Sequence, residues 1–174
     1  MTTDTITLHR RIYPSVLGEL TLVASARGLR ELTWPAQPGG SAPAGGPPIG
    51  EEPAAVAAVL DDVVAQLDEY FAGDRVTFDL PLDPVGTEFQ LRAWEALRLI
   101  PYGETRSYAQ QAERIGAPAA VRAVGAANGR NPISIIVPCH RVVGSDGSLT
   151  GFGGGLDAKR YLLDLESGAT PLFR

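Results

Sequence analysis

Cysteine and histidine are both scarce in this sequence, which has one cysteine, Cys139, and two histidines among its 174 residues. A single cysteine excludes an intramolecular disulfide framework and a cysteine-rich zinc site. Two histidines exclude a histidine-rich metal centre in the same way. We therefore predict that the chain holds no metal ion.

Long apolar runs are also missing. No run approaches the roughly 18 residues that a membrane-spanning helix needs, and the segment Met1–Asp4 has neither the basic nor the apolar region of a secretory signal. Hydrophobic residues still make up 44% of the chain, which is enough for a packed core in one domain or two small ones. We expect a soluble cytoplasmic protein that does not contact membranes.

Acidic and basic residues are unevenly distributed, and the net charge of the whole chain is −5. Residues 1–84 hold 12 acids and 5 bases, a net charge of −7, whereas residues 85–174 hold 8 acids and 10 bases, a net charge of +2. Six arginines lie between positions 98 and 141. This asymmetry favours an anionic partner for the second half, such as DNA or RNA. The alternative is a solvated helix face, which is the commoner role of such arginines.

The first half has the pattern of a strand-rich domain. Alternation of apolar and polar residues predicts strands over 6–12, 20–24 and 29–34, and a further strand over 76–80. Helical spacing predicts a helix over 56–71 between the third strand and the fourth. These elements predict a first domain that ends near residue 80.

Two segments of this half have the composition of connections. Pro, Gly, Ala and Ser dominate residues 35–53, so we predict a flexible surface insertion there. The segment Pro81–Pro84 is typical of a linker, and the charge balance changes at the same place. A second domain is therefore predicted over 86–174.

The second half begins with helices that carry clear start signals. Thr87 with Gln90, and Ser107 with Gln110, form capping boxes that open two helices. A third helix is predicted over 118–128, and the two short helices together favour a helix-turn-helix. In this motif, residues 118–128 would form the recognition helix.

Beyond this motif, the pattern predicts a buried strand, a wing and a final helix. The strand is predicted over 133–137. Asp146–Gly147 has the composition of a hairpin turn, flanked by the apolar pair 142–143 and by Leu149, which predicts the wing. The last helix is predicted over 157–166.

The predicted helix over 118–128 is nearly without long side chains. Its small residues include Ala123, Gly125 and Ala127, and Arg122 is its single long side chain. A helix this bare can approach another surface very closely. Tight packing in the core explains the same composition, and the composition alone does not decide between the two.

Cys139 and His140 are adjacent at the end of the predicted buried strand. A lone cysteine is most often a small buried hydrophobe. A thiol beside an imidazole, with Arg141 next and glycine-rich loops nearby, instead favours an accessible thiolate, which is the soft nucleophile suited to a saturated carbon. Adjacent side chains of a strand point to opposite faces, so direct contact between the two is not expected. This geometry disfavours an ordinary cysteine hydrolase.

The segments NPISIIVPCHRVVGSDG and GFGGGLDAKRYLLDLE resemble the O6-alkylguanine-DNA alkyltransferases, and the resemblance covers residues 86–174. The PCHRV box, the preceding Asn-Pro, the VRAVGAANGRNP helix and the terminal Glu all occur in the family's order. The first half matches the family only in its organisation. The resemblance implies an α+β fold with a ribonuclease H-like N-terminal domain over 1–80, which has no known catalytic role in the family. It also implies a winged helix-turn-helix alkyltransferase domain over 86–174.

The resemblance also implies a role for each catalytic residue. Cys139 would accept the alkyl group, and His140 would act as the base through a water molecule. Glu166 would orient His140, and Tyr108 would donate to N3 of the leaving guanine. Without the resemblance, Glu166 has the pattern of a solvated helix residue and Tyr108 that of a half-buried aromatic residue.

On the DNA side, the family implies that Arg122 fills the gap left by a flipped nucleotide, while Ala123, Gly125 and Ala127 allow a close approach to the minor groove. Without the resemblance, Arg122 has the pattern of an ordinary surface charge. Asn131 would brace the turn after this helix. The residues expected to build the pocket for the alkylated base are Asn131, Ser134, Pro138, Val142 and Gly153.

Two pocket residues depart from the family's pattern. Ser134 stands where some members have proline, which leaves the tolerance of bulky alkyl groups open. Gly153 stands where others have serine or a larger residue, which predicts a roomier or more mobile pocket wall.

The function implied by the resemblance is suicide DNA repair. The alkyl group of O6-alkylguanine, and also of O4-alkylthymine, would move irreversibly to Cys139 without a cofactor. The partner would be alkylated double-stranded DNA in the nucleoid, with the protein acting as a monomer and with no obligate protein partner. The alternatives are a non-catalytic lesion-binding or regulatory DNA-binding protein and, less favoured, a cysteine hydrolase.

Overall fold

The computed structural model describes residues 6–35 and 51–169. Most of the insertion predicted over 35–53 lies outside these residues. The described chain is a mixed α/β structure of five helices and five strands. No helix in the described ranges is both long enough and apolar enough to cross a membrane.

The first half contains an antiparallel sheet of three strands in the order β1-β2-β3. The strands are β1 (His9–Ser15), β2 (Gly18–Ser25) and β3 (Gly28–Thr33). All three strands agree with the prediction, but the side of β1 that enters the core differs from the predicted one. Ile12 is 38% exposed while Tyr13 is buried, because Tyr13 lies opposite Leu20 and its hydroxyl donates to Asp68 at 2.7 Å.

The helix predicted over 56–71 is present as α1 (Ala54–Phe71), and it packs against this sheet. Ala72 caps its C-terminal end, and the following Gly73 takes a φ of +82°, in the left-handed region that favours glycine. The face of α1 that enters the core consists of Val56, Leu60, Val63, Gln66, Leu67 and Tyr70.

The strand predicted over 76–80 is wrong, because this segment is irregular. The Gln66 amide donates to the carbonyl of Asp79 and accepts from the N–H of Asp79, both at 2.9 Å. These two bonds occupy the main-chain groups that a strand would use in a ladder. The chain instead reaches the sheet at the predicted linker, where Leu82 pairs with Leu29 of β3.

The second half contains the predicted helices around two short strands. The elements are α2 (Glu88–Arg98), β4 (Arg106–Ser107), α3 (Tyr108–Arg114), α4 (Val121–Gly129), β5 (Val142–Val143) and α5 (Leu156–Ser167). The capping boxes of α2 and α3 form as predicted. Helix α4 begins at Val121 and not at Pro118, because residues 118–120 form a separate turn.

The strand predicted over 133–137 is wrong, since this segment is a compact turn. The Asn131 side chain accepts from the N–H of Ile133 at 3.0 Å and donates to the carbonyl of Val137 at 2.8 Å, which closes the turn. Ile135, at its centre, is buried with a φ of +70°. A β-branched residue in that region is strained, so its neighbours must hold the backbone there.

The predicted wing forms only in part. The turn at Asp146–Gly147 is present, and the N–H of Gly144 donates to the carbonyl of Ser148 at 2.8 Å. Strand β5, however, pairs in parallel with β4 and not with the segment around Leu149. The wing is therefore a loop anchored on the helix-turn-helix.

One hydrophobic core joins the two halves. The second edge of β3 is covered at Leu29 by residues 81–83 and at Leu32 by residues 132–134. The N–H of Leu32 donates to the carbonyl of Pro132 at 2.8 Å, and the N–H of Ser134 donates to the carbonyl of Leu32 at 3.0 Å. The N-terminal sheet thus supports the turn that leads to Cys139.

Candidate active site

Cys139 is the first residue of a single 3₁₀ turn, Cys139–Arg141, which follows the 131–137 turn directly. Its side chain is half-buried. Burial raises the pKa of the thiol above its ordinary value, although a hydrogen bond with Asn131 and the charge of Lys159 lower it in part. The expectation of a favoured thiolate is therefore wrong for the free protein. The neighbouring Arg141 was one reason to expect a thiolate, but its guanidinium donates to Glu166 instead.

His140 is fully buried beside Glu166 of α5, with Nε2 at 2.7 Å from Oε1. Burial lowers the pKa of the imidazole, and this effect prevails over the opposite effect of Glu166. The ring is therefore neutral at pH 7, and its proton lies on Nε2, because an ionised carboxylate can only accept. Nδ1 has no hydrogen-bond partner among the described residues. Its lone pair is consequently available for a proton.

Glu166 is held by four hydrogen bonds. Burial alone would raise the pKa of its carboxyl, but the bonds from His140 and Arg141 lower it to about 2. Arg141 donates from Nε to Oε2 and from Nη2 to Oε1, both at 2.8 Å, and the Tyr70 hydroxyl donates to Oε1 at 2.8 Å. Glu166 is therefore an immobile anion. No local sequence signal points to Tyr70, which is 96 positions away from Glu166.

Lys159 is a second charged residue on the buried face of α5. Its ammonium donates to the carbonyls of Val142 at 2.6 Å and Thr150 at 2.9 Å. Burial lowers its pKa, and its charge acts on the Cys139 thiol. Sequence reasoning missed Lys159, yet a signal was present. Its spacing from Leu162 and Glu166, three and then four positions, places it on the helix face that enters the core.

The predicted pocket residues are near Cys139 but differ in exposure. Ser134, Pro138 and Val142 are buried. The Val142 N–H donates to the carbonyl of Cys139, and the Val142 carbonyl, which accepts from Lys159, keeps a second lone pair. Asn131 contacts both the turn and the thiol.

The loop that carries Gly153 is covered by a residue that sequence reasoning also missed. Trp34, just beyond β3, packs on Phe152 with ring centroids 5.4 Å apart, and Phe152 lies 6.5 Å from the His140 ring. A Cβ on Gly153 would be 3.5 Å from the indole, whereas a Cβ on Gly154 would be only 2.6 Å from it. The pocket wall is thus held against the N-terminal sheet.

The helix-turn-helix presents part of the predicted DNA-binding surface. Arg122 and Ala123 are exposed on α4, and Gly125 lies against the Tyr108 ring. The Tyr108 hydroxyl accepts from Thr150 at 3.1 Å, in the loop that Lys159 holds. Ala127, predicted to allow the close approach together with Ala123 and Gly125, lies on the buried side of α4 and is 3% exposed.

Only some of the six arginines are available to an anion. Arg98 pairs with Glu95, Arg106 pairs with Glu104, and Arg141 is buried. Of these six, the exposed arginines for which the described part of the chain shows no ion pair are Arg114, Arg122 and Arg130. The positive surface is consequently narrower than the sequence suggests, and it is centred on α3 and α4.

Comparison with known proteins matches both halves of the chain to one family. Residues 8–84 match the ribonuclease-like domain of 6-O-methylguanine DNA methyltransferase, and residues 88–168 match its DNA binding domain. A methylated-DNA–protein-cysteine methyltransferase of Mycobacterium bovis is 49% identical over 164 residues, covering 94% of this chain and 95% of the relative.

Solved structures give the same relationship. The structure of Mycobacterium tuberculosis OGT in complex with DNA is 48% identical, with a TM-score of 0.81, and covers 94% of this chain and 95% of its own. The O6-methylguanine-DNA methyltransferase of Pyrococcus kodakaraensis, at 18% identity and a TM-score of 0.51, covers 92% and 99% and shares the fold. The chain therefore belongs to the 6-O-methylguanine DNA methyltransferase family.

Proposed function

We propose that this chain repairs DNA by moving the alkyl group of O6-alkylguanine, and of O4-alkylthymine, irreversibly to Cys139. It acts as a monomer on double-stranded DNA, without a cofactor or protein partner. The observation that carries the proposal is the state of His140, whose Nε2–H is fixed by an ionised Glu166 while Nδ1 is free to accept a proton. A neutral, oriented imidazole beside a protonated thiol is a general base ready to act.

Access to the lesion comes first, because the alkyl group of a stacked base is out of reach of the half-buried Cys139 thiol. Helix α4 is short of long side chains on its exposed face, which suits a close approach to the minor groove. Arg122 is exposed on that face and can occupy the gap left by the extruded nucleotide. Unstacking a nucleotide costs on the order of a few kcal/mol, and insertion of Arg122 offsets part of this cost.

The chemical step is a displacement at a saturated carbon. His140 takes the proton of the Cys139 thiol through a bridging water, and the sulfur attacks the methyl carbon in line with the C–O bond. That bond breaks, and its electron pair goes to the leaving guanine, which Tyr108 stabilises by donating to N3. The proton held on His140 returns to the guanine. The products are a protein thioether and an unmodified guanine.

The position of Lys159 fits this step. It holds the carbonyls of Val142 and Thr150 on the two sides of the wing, so the pocket floor and the loop near Tyr108 are fixed to α5. Its charge favours the developing thiolate. The C–S bond of a thioether is stable toward the side chains described around Cys139, so one chain repairs one lesion.

The test uses a DNA duplex that contains one O6-methylguanine, with mass spectrometry of the protein. We expect one methyl group per chain, on the peptide that contains Cys139. Cys139→Ser should transfer none while its affinity for DNA stays within a few-fold. Methyl on another residue, repeated turnover or no transfer would contradict the proposal, and the last result with intact DNA binding would favour a non-catalytic lesion-binding protein.

A further inference from the structure

Tyr70 connects the N-terminal domain directly to the reacting residues. It lies in the last turn of α1, is 0% exposed, and places its hydroxyl 2.8 Å from Oε1 of Glu166. The same oxygen accepts from Nε2 of His140 at 2.7 Å. Donors from both halves of the chain therefore share one carboxylate oxygen, which also accepts from Nη2 of Arg141 at 2.8 Å.

The Tyr70 ring is fixed in this position by its aromatic neighbours. The rings of Phe71, Phe78 and Tyr102 lie with centroids 5.5, 5.3 and 6.2 Å from it. The hydroxyl cannot leave Glu166 without breaking this packing. Burial, followed by the charge of Glu166, raises the pKa of Tyr70 well above its ordinary value, so the hydroxyl keeps its proton and remains a donor.

We propose that Tyr70 is a positioning residue for alkyl transfer, since its hydrogen bond to Glu166 sets how strongly Glu166 holds and orients His140. The inference rests on the proposed function and assigns a part in the reaction to the first domain. A donor to Oε1 draws negative charge away from the oxygen that faces His140. Without that donor, Glu166 attracts the proton of an imidazolium more strongly, and His140 becomes easier to protonate.

Several other charged and titratable groups surround the His140–Glu166 pair, and all of them stay in place in a Tyr70→Phe variant. Arg141 neutralises Glu166 from the 3₁₀ turn, and Lys159 opposes protonation of His140 from α5. Among the described residues, the other titratable or charged groups around the pair are Tyr102, Cys139, Arg141 and Lys159.

The test compares Tyr70→Phe with Tyr13→Phe. Tyr13 is a matched control, because it is 5% exposed and donates to a carboxylate, Asp68, at the same interface of sheet and α1 without contacting Glu166. Single-turnover methyl transfer is measured against pH for both variants and the unmodified protein. We expect the acid limb of the Tyr70→Phe profile to move to higher pH by about half a unit to one unit. The Tyr13→Phe profile should keep its acid limb.

A second measurement follows the protonation of His140 directly and does not depend on methyl transfer. The chain has two histidines, so NMR titration of the imidazoles resolves His140 with His9 as the internal reference. The pKa of His140 should rise in Tyr70→Phe. Replacing all tyrosines by fluorotyrosine, which makes the phenol a stronger donor and keeps its shape, should shift it in the opposite direction. This arm remains informative if Tyr70→Phe folds poorly.

The outcomes separate the two proposals. An unchanged acid limb, an equal shift in both variants, or a rate that falls by one factor at every pH would overturn the positioning role. An unchanged His140 titration in both the Tyr70→Phe and the fluorotyrosine proteins would overturn it as well. Failure of the unmodified protein to transfer methyl would instead refute the proposed function, and the NMR titration would still decide the role of Tyr70.

Discussion

Gly154 is the most crowded glycine of the pocket loop, and we predict that Gly154→Ala damages both stability and repair. The added Cβ would lie 2.6–2.8 Å from three ring carbons of Trp34, whereas ordinary contacts begin at 3.4 Å. The indole must therefore retreat by about 0.8 Å at the nearest of these contacts. It cannot do so freely, since it packs on Phe152. Overpacking of this kind costs about 1–3 kcal/mol.

The measurement is urea denaturation together with the single-turnover rate of methyl transfer. Gly151→Ala and Gly153→Ala are the controls, because a Cβ at Gly151 meets nothing within 4 Å and one at Gly153 makes an ordinary contact of 3.5 Å. Both controls should stay within about 0.5 kcal/mol of the unmodified protein. The rate should fall in Gly154→Ala, since Phe152 lies against His140.

A double-mutant cycle identifies the cause. In a Trp34→Ala background the clash is absent, so Gly154→Ala should then have little effect, and the coupling between the two sites should approach the full cost of the single change. A Gly154→Ala protein as stable as its controls would refute the reasoning. So would an equal cost of Gly154→Ala with and without the indole.

The remaining predictions concern charge around the thiol and on α4. Lys159→Met removes a positive charge that lowers the pKa of Cys139, so alkylation of the thiol by iodoacetamide should require higher pH; an unshifted rate–pH curve would contradict this. Arg122→Ala should slow repair in duplex DNA more than in single strands, because only the duplex requires a stacked pair to be opened. Equal slowing on both substrates would mean that Arg122 is only a phosphate contact.

The elements that the sequence predicted well carry their signals locally. The capping boxes at Thr87 and Ser107 form as read, because each needs only residues three positions apart. The final helix, predicted over 157–166 and found over Leu156–Ser167, follows in the same way. Such signals depend on the backbone of one turn and not on distant packing.

The wrong strand predictions lie where one side-chain amide makes the hydrogen bonds that the main chain would otherwise make in a sheet. Apolar composition favoured a strand over 133–137, but the Asn131 amide satisfies both ends of that segment and closes it into a turn. Gln66 does the same to Asp79. An amide that captures a backbone N–H and a carbonyl leaves no periodic signal, so pattern reading cannot find it.

The residues of the candidate site also differ in whether a local sequence signal predicts them. Cys139 and His140 were found from their adjacency, and Glu166 only through a resemblance. Tyr70 lies in the other half of the chain, so no local pattern predicts its contact with Glu166. Lys159, in contrast, could have been found as a charge on an apolar helix face.

The covered edge of β3 has a consequence for how the chain is made. An uncovered strand edge is a template for pairing with other chains. Within residues 6–35 and 51–169, the segments that close this edge of β3 are 81–83 and 132–134. During synthesis, the N-terminal sheet emerges long before the segment that closes it at Leu32. The nascent chain is therefore most prone to aggregate in that interval, and the first domain produced alone keeps the hazard permanently. The two halves are separate in their sequence patterns, but each covers surface of the other that would otherwise be exposed.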